Sequence, residues 1–306
     1  MYNFDKIIER SNTNSMKWDK NFIKGTCSNE NAIPFWVADM DFETSDAIKD
    51  TMLKLANHAV PAYVDFPNVN KSFVNFVKKV HNYDLDINLT HPTGGIMKSV
   101  ALCVNLYTKE NDDILVFFPS YQPFVTTVEN NKRNVVEYHL DYSNGSFSFN
   151  VEKFKAKLEG VKMIILCSPH NPTGYIFSKE ELEMILKIAK ELDIVIVSDE
   201  IHADLTHPGV KHYILDEINQ DINAKAITLM APSKTFNIAG EHYSQIIFAN
   251  KELEKSYLDA ELRLMNTMIG YFAGALAEAA YSSSFDFNKE LREYLKGNMD
   301  FISSWC

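Results

Sequence analysis

Three short polar stretches in this chain each follow an apolar run: "SPHNPTG" (168–174), "SDEIH" (198–202) and "APSKTFNIAG" (231–240). The first offers Asn171 in a proline-flanked turn, the second Asp199, Glu200 and His202, and the third Ser233 beside Lys234. A lysine behind an apolar strand can reach an aldehyde carbon as a free amine, because desolvation and a nearby cation-like centre lower its pKa. A carboxylate at a strand end keeps a ring nitrogen protonated through an opposite charge at short range. An asparagine side chain can donate to a phenolate oxygen.

Those are the needs of pyridoxal 5'-phosphate, which withdraws electrons only while its ring nitrogen stays protonated. Its phosphate needs donors too. In "TGGIMKSVALCVNLY" the residues Thr93, Gly94 and Gly95 precede a helical pattern with Ile96, Val100, Cys103 and Tyr107 on one face. A glycine turn opening a helix presents free N–H groups and the positive dipole end to an anion. Ser233 adds a hydroxyl, and Tyr121 in "FFPSYQPF" can stack on a pyridine ring. A competing reading makes "DEIH" the magnesium-holding acid of an ATPase. It needs a G-x-x-x-x-G-K-[ST] loop, and the nearest stretch, "THPTGGIMKSV", has Met97 where the second glycine belongs.

The elements that must carry these residues alternate in period. The runs 113–118, 162–168, 193–198 and 226–230 have strand length and β-branched content. In "SKEELEMILKIAKELD" the residues Leu182, Ile185, Leu186, Ala189 and Leu192 share a helical face, and Ser178 with Glu181 forms a capping box. Wholly apolar strands separated by helices predict an α/β fold: a mixed, mostly parallel sheet covered on both faces. Ligands in such sheets bind beyond the carboxyl ends of the strands, where the three polar loops should meet. After about Tyr257 the pattern reads as helical to the end, with Leu291, Leu295, Met299 and Ile302 as a stripe; no glycine or proline stops it, so the chain is expected to end in or just after a helix.

Composition narrows the partners. With 306 residues, 46% of them hydrophobic, the chain can bury a large core. A net charge of -11 argues against nucleic-acid phosphates and anionic membranes and favours a small-molecule partner. The four cysteines form no C-x-x-C pair, the start carries no basic-then-apolar leader, and no stretch has the length of a membrane span, so a cytoplasmic protein is expected. The histidines 170, 202, 207 and 212 lack ligand spacing, and no metal is expected. Glu200 is read as structural and Cys167 as a small core residue.

The motifs "CSPHNPTG", "SDEIHADL" and "APSKTFNIAG", in this order, resemble those of fold-type I pyridoxal-phosphate enzymes of the aminotransferase superfamily. Within it they resemble the cystathionine beta-lyase (C–S lyase) group of the MalY/PatB type. The resemblance extends to "NTNSMKWD" (12–19), "FWVADMDF" (35–42), "PSYQPF" (119–124) and "YLKGNMDFI" (294–302), and so spans the chain. It implies Lys234 as the lysine that bonds the cofactor, Asp199 at the ring nitrogen, Asn171 and His202 at the ring oxygen, and Tyr121 stacked on the ring. Gly95, Ile96 and Met97, with Ser233, would hold the phosphate. Tyr63 would reach the phosphate of a neighbouring subunit, which implies a homodimer with shared sites. The activity implied is β-elimination from an amino acid, releasing a thiol, pyruvate and ammonia. Transamination, which begins with the same proton removal by Lys234, is the alternative.

The resemblance divides the chain into an N-terminal segment lining the cleft (1–45), a large cofactor-binding domain (46–270) and a helical connection opening a small domain (271–306). Relatives of this type continue past the position of Cys306 into that small domain, which supplies an arginine for the substrate carboxylate. A shortened chain is therefore expected, or a reduced homologue with a regulatory or interaction role. Only Arg263 and Arg292 follow Lys234. Glu241 in "AGEHYS" stands where relatives carry leucine, and near a phosphate it must face solvent or pair with His242.

Overall fold

A computed structural model describes residues 1–29 and 31–305. Its nine strands are β1 (Thr90–Thr93), β2 (Asp113–Phe118), β3 (Asn134–His139), β4 (Asp141–Ser143), β5 (Ser146–Ser148), β6 (Val161–Cys167), β7 (Val195–Asp199), β8 (Ala226–Met230) and β9 (Ser244–Phe248). The α-helices are α1 (Lys20–Cys27), α2 (Asp46–His58), α3 (Val69–His81), α4 (Ile96–Tyr107), α5 (Gln122–Asn130), α6 (Val151–Lys155), α7 (Lys179–Glu191), α8 (Leu215–Asn219), α9 (Pro232–Thr235), α10 (Lys251–Arg263), α11 (Tyr271–Ser283) and α12 (Phe285–Ser303).

The main sheet has seven strands in the order β1-β9-β8-β7-β6-β2-β3, and β4 with β5 forms a separate hairpin. Strands β3, β2, β6, β7 and β8 run parallel; β9 is antiparallel to both β8 and β1. The expected α/β class and mostly parallel sheet are therefore present. From β2 the chain steps outward to β3, then returns on the other side of β2 to lay down β6, β7 and β8, so the strand order reverses between β2 and β6. That reversal opens a crevice at the carboxyl ends.

The central strands are apolar throughout because both faces are covered. In β2, Ile114 and Val116 join a core with Val100 and Cys103 of α4 and Tyr257 of α10, while Leu115 and Phe117 join a second core with Phe154 of α6 and Leu182 and Ile185 of α7. A third cluster ties Phe73 and Phe76 of α3 to Phe236, to Tyr281 of α11 and to Phe287 of α12. The capping box of α7 forms in both directions: Ser178 N donates to Glu181 Oε2 at 2.8 Å, and Glu181 N to Ser178 Oγ at 3.2 Å.

The structure corrects several sequence expectations. Strand β7 opens at Val195 and not at Asp193, because Asp193 takes left-handed backbone and Ile194 N closes α7 onto Ala189 O at 2.8 Å. Strand β6 spans Val161–Cys167, and Ser168 lies beyond it. Leu192 is the C-cap of α7 and 53% exposed, so the buried face ends at Ala189. The region after Tyr257 is not one helical run: residues 264–270 separate α10 from α11. Of the stripe expected in α12, Leu291 is buried and Leu295 half-buried, whereas Met299 and Ile302 are exposed.

Two helical glycines make opposite demands. A Cβ on Gly274 of α11 would collide with the ring of Phe66, whereas one on Gly297 of α12 would meet nothing. In urea denaturation Gly274→Ala should cost about 1–3 kcal/mol through overpacking, and Gly297→Ala should gain about 0.5–1 kcal/mol from reduced backbone freedom in the unfolded chain.

Candidate cofactor-binding site

Strand direction gathers the candidate residues. Because β1, β2, β6, β7 and β8 all point the same way, the turn at Gly94 and Gly95, Tyr121, the 168–174 loop, Asp199 with His202, and Ser233 with Lys234 emerge at one sheet edge. His242, just before the antiparallel β9, enters the same edge from the other direction.

Asp199 is the last residue of β7, paired in register with Cys167 of β6 and Leu229 of β8, and only 5% exposed. Its Oδ1 accepts from Ile201 N at 3.0 Å. Burial is the largest influence on the carboxyl and pushes its pKa up to about 7, against the pull of Lys234 downward. Among the described residues it forms no ion pair.

Lys234 lies in the four-residue helix α9, four residues past β8, and its Nζ donates to Ala38 O at 2.9 Å. Burial lowers its pKa while Asp39 and Asp199 oppose the shift. The amine is thus held by a neutral carbonyl and senses acids only from a distance. His202 is pushed down to about 4, first by burial and then by Lys234, so its imidazole is neutral at physiological pH. Tyr121 immediately precedes α5, sets its ring edge-on to Phe124 at 5.4 Å, and has its pKa raised by burial and by Asp199. Its phenol therefore keeps its proton.

The glycine turn leaves the start of α4 open. Gly95 sits at φ 114°, a backbone that side-chain-bearing residues rarely adopt, and no side chain caps the start of α4 behind it. Ile96 and Met97 are the first two helical residues. Lys98 Nζ lies over Gly94, 3.4 Å from where a Cβ would stand, and His242 Cβ is 3.9 Å from the equivalent point on Gly95. His242 therefore neighbours the turn, while the half-exposed Glu241 pairs with no cation among the described residues. Asn171 and His202 line a common cavity of about 340 Å³ with Pro169 and Leu205.

Some candidates lie elsewhere. Tyr63 is 93% exposed and does not join the edge cluster; it lines a separate cleft of about 810 Å³ with Phe66, Tyr243, Met268 and Tyr271. Arg292 donates to Thr206 O at 2.6 Å, and Arg263 is exposed at the end of α10. Glu200 turns inward, accepting from His212 Nε2 at 2.7 Å and Leu215 N at 2.9 Å, as its structural reading expected.

The sequence reading assigned no role to Ala38, Asp39 or Asn237, yet the N-terminal segment lies across Lys234 as a strap. Asn237 donates to Met40 O and Phe42 O at 3.0 and 2.7 Å and accepts from Met40 N at 2.9 Å. Arg10 bonds Asp39 and Asp41 at 2.8 and 2.7 Å, and Lys17 bonds Asp41 at 2.6 Å. The alternating acids of "FWVADMDF" were the available signal; their cations, far away in sequence, were not.

The family model described as "Aminotransferase class I and II" matches residues 30–304. The cystathionine beta-lyase PatB of Bacillus subtilis (strain 168) is 34% identical over 97% of this chain and 77% of its own length. The chain belongs to the class I and II aminotransferase family, in its cystathionine beta-lyase branch. Two solved structures of that family agree in fold. The C–S lyase from Staphylococcus hominis, with pyridoxal phosphate bound, has a TM-score of 0.91 at 29% identity, covering 100% of this chain and 77% of that one. Cystalysin from Treponema denticola, which contains a pyridoxal 5'-phosphate cofactor, has a TM-score of 0.91 at 28% identity, covering 99% and 77%. The chain thus spans about three quarters of the length of these family members.

Asp199 supplies a pH test. Its folded pKa of about 7 stands above the ordinary 3.8, so between those values the native state holds a proton that the unfolded chain has released. This group's contribution to stability falls as pH rises from about 4 to about 7. In protein stripped of cofactor, Asp199→Asn should therefore be the more stable form at pH 8, by an amount on the order of a few kcal/mol. The advantage should vanish by about pH 4; an advantage independent of pH in denaturant titrations would contradict the assignment.

Proposed function

We propose that this protein is a pyridoxal-phosphate-dependent C–S β-lyase, acting on an amino acid that carries a sulfur substituent on its β-carbon, cystathionine being the first to try, and releasing a thiol, pyruvate and ammonia. The observation that carries the reading is the pairing, at one sheet edge, of a buried carboxylate without an ion-pair partner with an amine held only by a carbonyl. The residues present suit the cofactor on three counts: an uncapped helix start behind a glycine of positive φ for a phosphate, Asp199 for a ring cation, and Lys234 for an aldehyde. When bound, pyridoxal phosphate supplies an electron-withdrawing ring that makes the α-proton of an attached amino acid removable.

The chain's own groups do the rest. Lys234 Nζ, its pKa lowered by burial, takes the α-proton and holds it. Asp199 ionises fully once a cation faces it, because an opposite charge at short range reverses the effect of burial. Neutral His202 and Asn171 would donate at the ring oxygen, and Tyr121 would stack on a ring face. The N–H groups of Gly95, Ile96 and Met97, with the Ser233 hydroxyl, would hold the phosphate. The proposal keeps segment 1–45 as the cleft lining, 46–270 as the cofactor domain and 271–306 as the helical connection; the strap over Lys234 and the break at 264–270 support it.

A cytoplasmic homodimer, with Tyr63 reaching the neighbouring site, is part of the same reading. Its support is the exposure of Tyr63 together with Phe35, Met265 and Met268. No helix among the described residues is long and apolar enough to cross a membrane.

Purified protein given pyridoxal phosphate should develop a visible absorbance band that borohydride abolishes, and cystathionine should then yield pyruvate. Lys234→Ala should lose the band and about 10²–10⁴-fold in kcat. Keto acids formed from several amino acids without thiol release would assign an aminotransferase instead. A band without either product would assign a regulatory or interaction role.

A further inference from the structure

Behind the sheet edge, two buried carboxylate–histidine pairs stand beside the two central candidates without belonging to them. Asp204, 5% exposed in the short 3-10 turn Ala203–Leu205, accepts from His81 Nε2 at 2.7 Å through Oδ1 and from Thr235 Oγ1 at 3.0 Å through Oδ2. Its backbone carbonyl accepts from Asn288 Nδ2 at 2.8 Å. One residue thereby joins the end of α3, the turn after β7, the helix α9 and the start of α12. The second pair, Glu200 with His212, is braced by Ser198 Oγ at 3.0 Å and sits next to Asp199. The two imidazole rings meet edge to face at 6.0 Å.

The geometry of α9 gives the first pair a task. A helix of four residues cannot hold its own orientation, since its nucleation cost is not recovered within one turn. Its direction is imposed from outside, and the one side chain of α9 drawn fully inward by a hydrogen bond is Thr235, the neighbour of Lys234. Consecutive helical residues project about 100° apart. Anchoring Thr235 inward therefore turns Lys234 toward the sheet edge. Thr44 Oγ1 on Phe236 O at 2.6 Å pins the following residue from the strap side.

We propose that Asp204, held by His81 and bonded to the Thr235 hydroxyl, is the positioning group for Lys234, fixing the rotation of α9 so that the amine is presented at the sheet edge. The inference rests on Lys234 being the residue that bonds pyridoxal phosphate. It concerns the setting of the amine, and Asp204, His81 and Thr235 touch no reacting atom.

The decisive comparison is Thr235→Val, which keeps the shape and removes the hydroxyl, against Thr235→Ser, which keeps the hydroxyl. Pyridoxal phosphate itself is the probe. Thr235→Val should weaken its binding about tenfold, the order carried by one hydrogen bond to a charged group, and should move the pH midpoint of the visible band. Thr235→Ser should match the parent in both. A readout without cofactor accompanies this: trace labelling of Lys234 by acetic anhydride, followed by mass spectrometry, should change about threefold or more in Thr235→Val and stay parental in Thr235→Ser.

Parental midpoint and labelling in Thr235→Val would overturn the proposal, as would a Thr235→Ser variant that behaves like Thr235→Val. If Thr235→Val does not fold, His81→Asn, which leaves Asp204 in place and removes one of its donors, is judged by the same two readouts. A parent protein that never forms the band defeats the reading of Lys234 as the cofactor lysine, and the labelling arm still decides whether Asp204 sets that side chain.

Discussion

Removing a carboxylate from water at the end of a central strand is unfavourable unless a cation or a set of donors compensates. Among the described residues Asp199 has one backbone donor and no cation in contact, so its carboxyl shifts toward the protonated form. The sheet makes this position unavoidable: β6 and β8 flank β7 in register up to Asp199 itself, and cores on both faces exclude solvent from the strand. Under the proposed function, this is where a cationic ring would meet little competition from water. The other edge residues are arranged around that fact, including a lysine kept near enough to sense the acid and too far to neutralise it.

The strap extends the same logic to Lys234. A side chain wholly in solvent would keep its ordinary affinity for protons, but Lys234 is half-buried with its Nζ on Ala38 O, and its pKa is lowered. Arg10 and Lys17 neutralise Asp39 and Asp41, so the strap brings carbonyls to the cleft with most of its acid charge already balanced. The pairs are partly buried, and much of their value is in fixing geometry, since desolvation offsets a large share of the attraction.

Much of this was legible in order along the chain. Apolar runs leading into "SPHNPTG", "SDEIH" and "APSKTFNIAG", with a capping box between the first two, specify strands, helices and loops through local periodicity, and parallel strands then place the loops at one edge. What local pattern could not carry is pairing at long range. β1 reads "THPT" and becomes a strand only because β9 supplies its ladder. The contact of Lys234 with Ala38 spans 196 positions and that of His81 with Asp204 spans 123, and nothing in either neighbourhood announces the other. Leu192 and Met299 fit helical stripes but lie where the covering elements stop, so periodicity extended the buried faces too far.

One consequence follows from the bond between Lys234 and Ala38. An ammonium has three donors, and under the proposed function Lys234 would retain at most one, so its bond to Ala38 O at 2.9 Å would weaken or break. The strap does not depend on that bond. Asn237 holds Met40 and Phe42 through three hydrogen bonds, and Thr44 reaches Phe236 O, all independent of the lysine. The segment therefore keeps its anchors at Asn237 and Phe236 whether or not Lys234 keeps Ala38 as its partner.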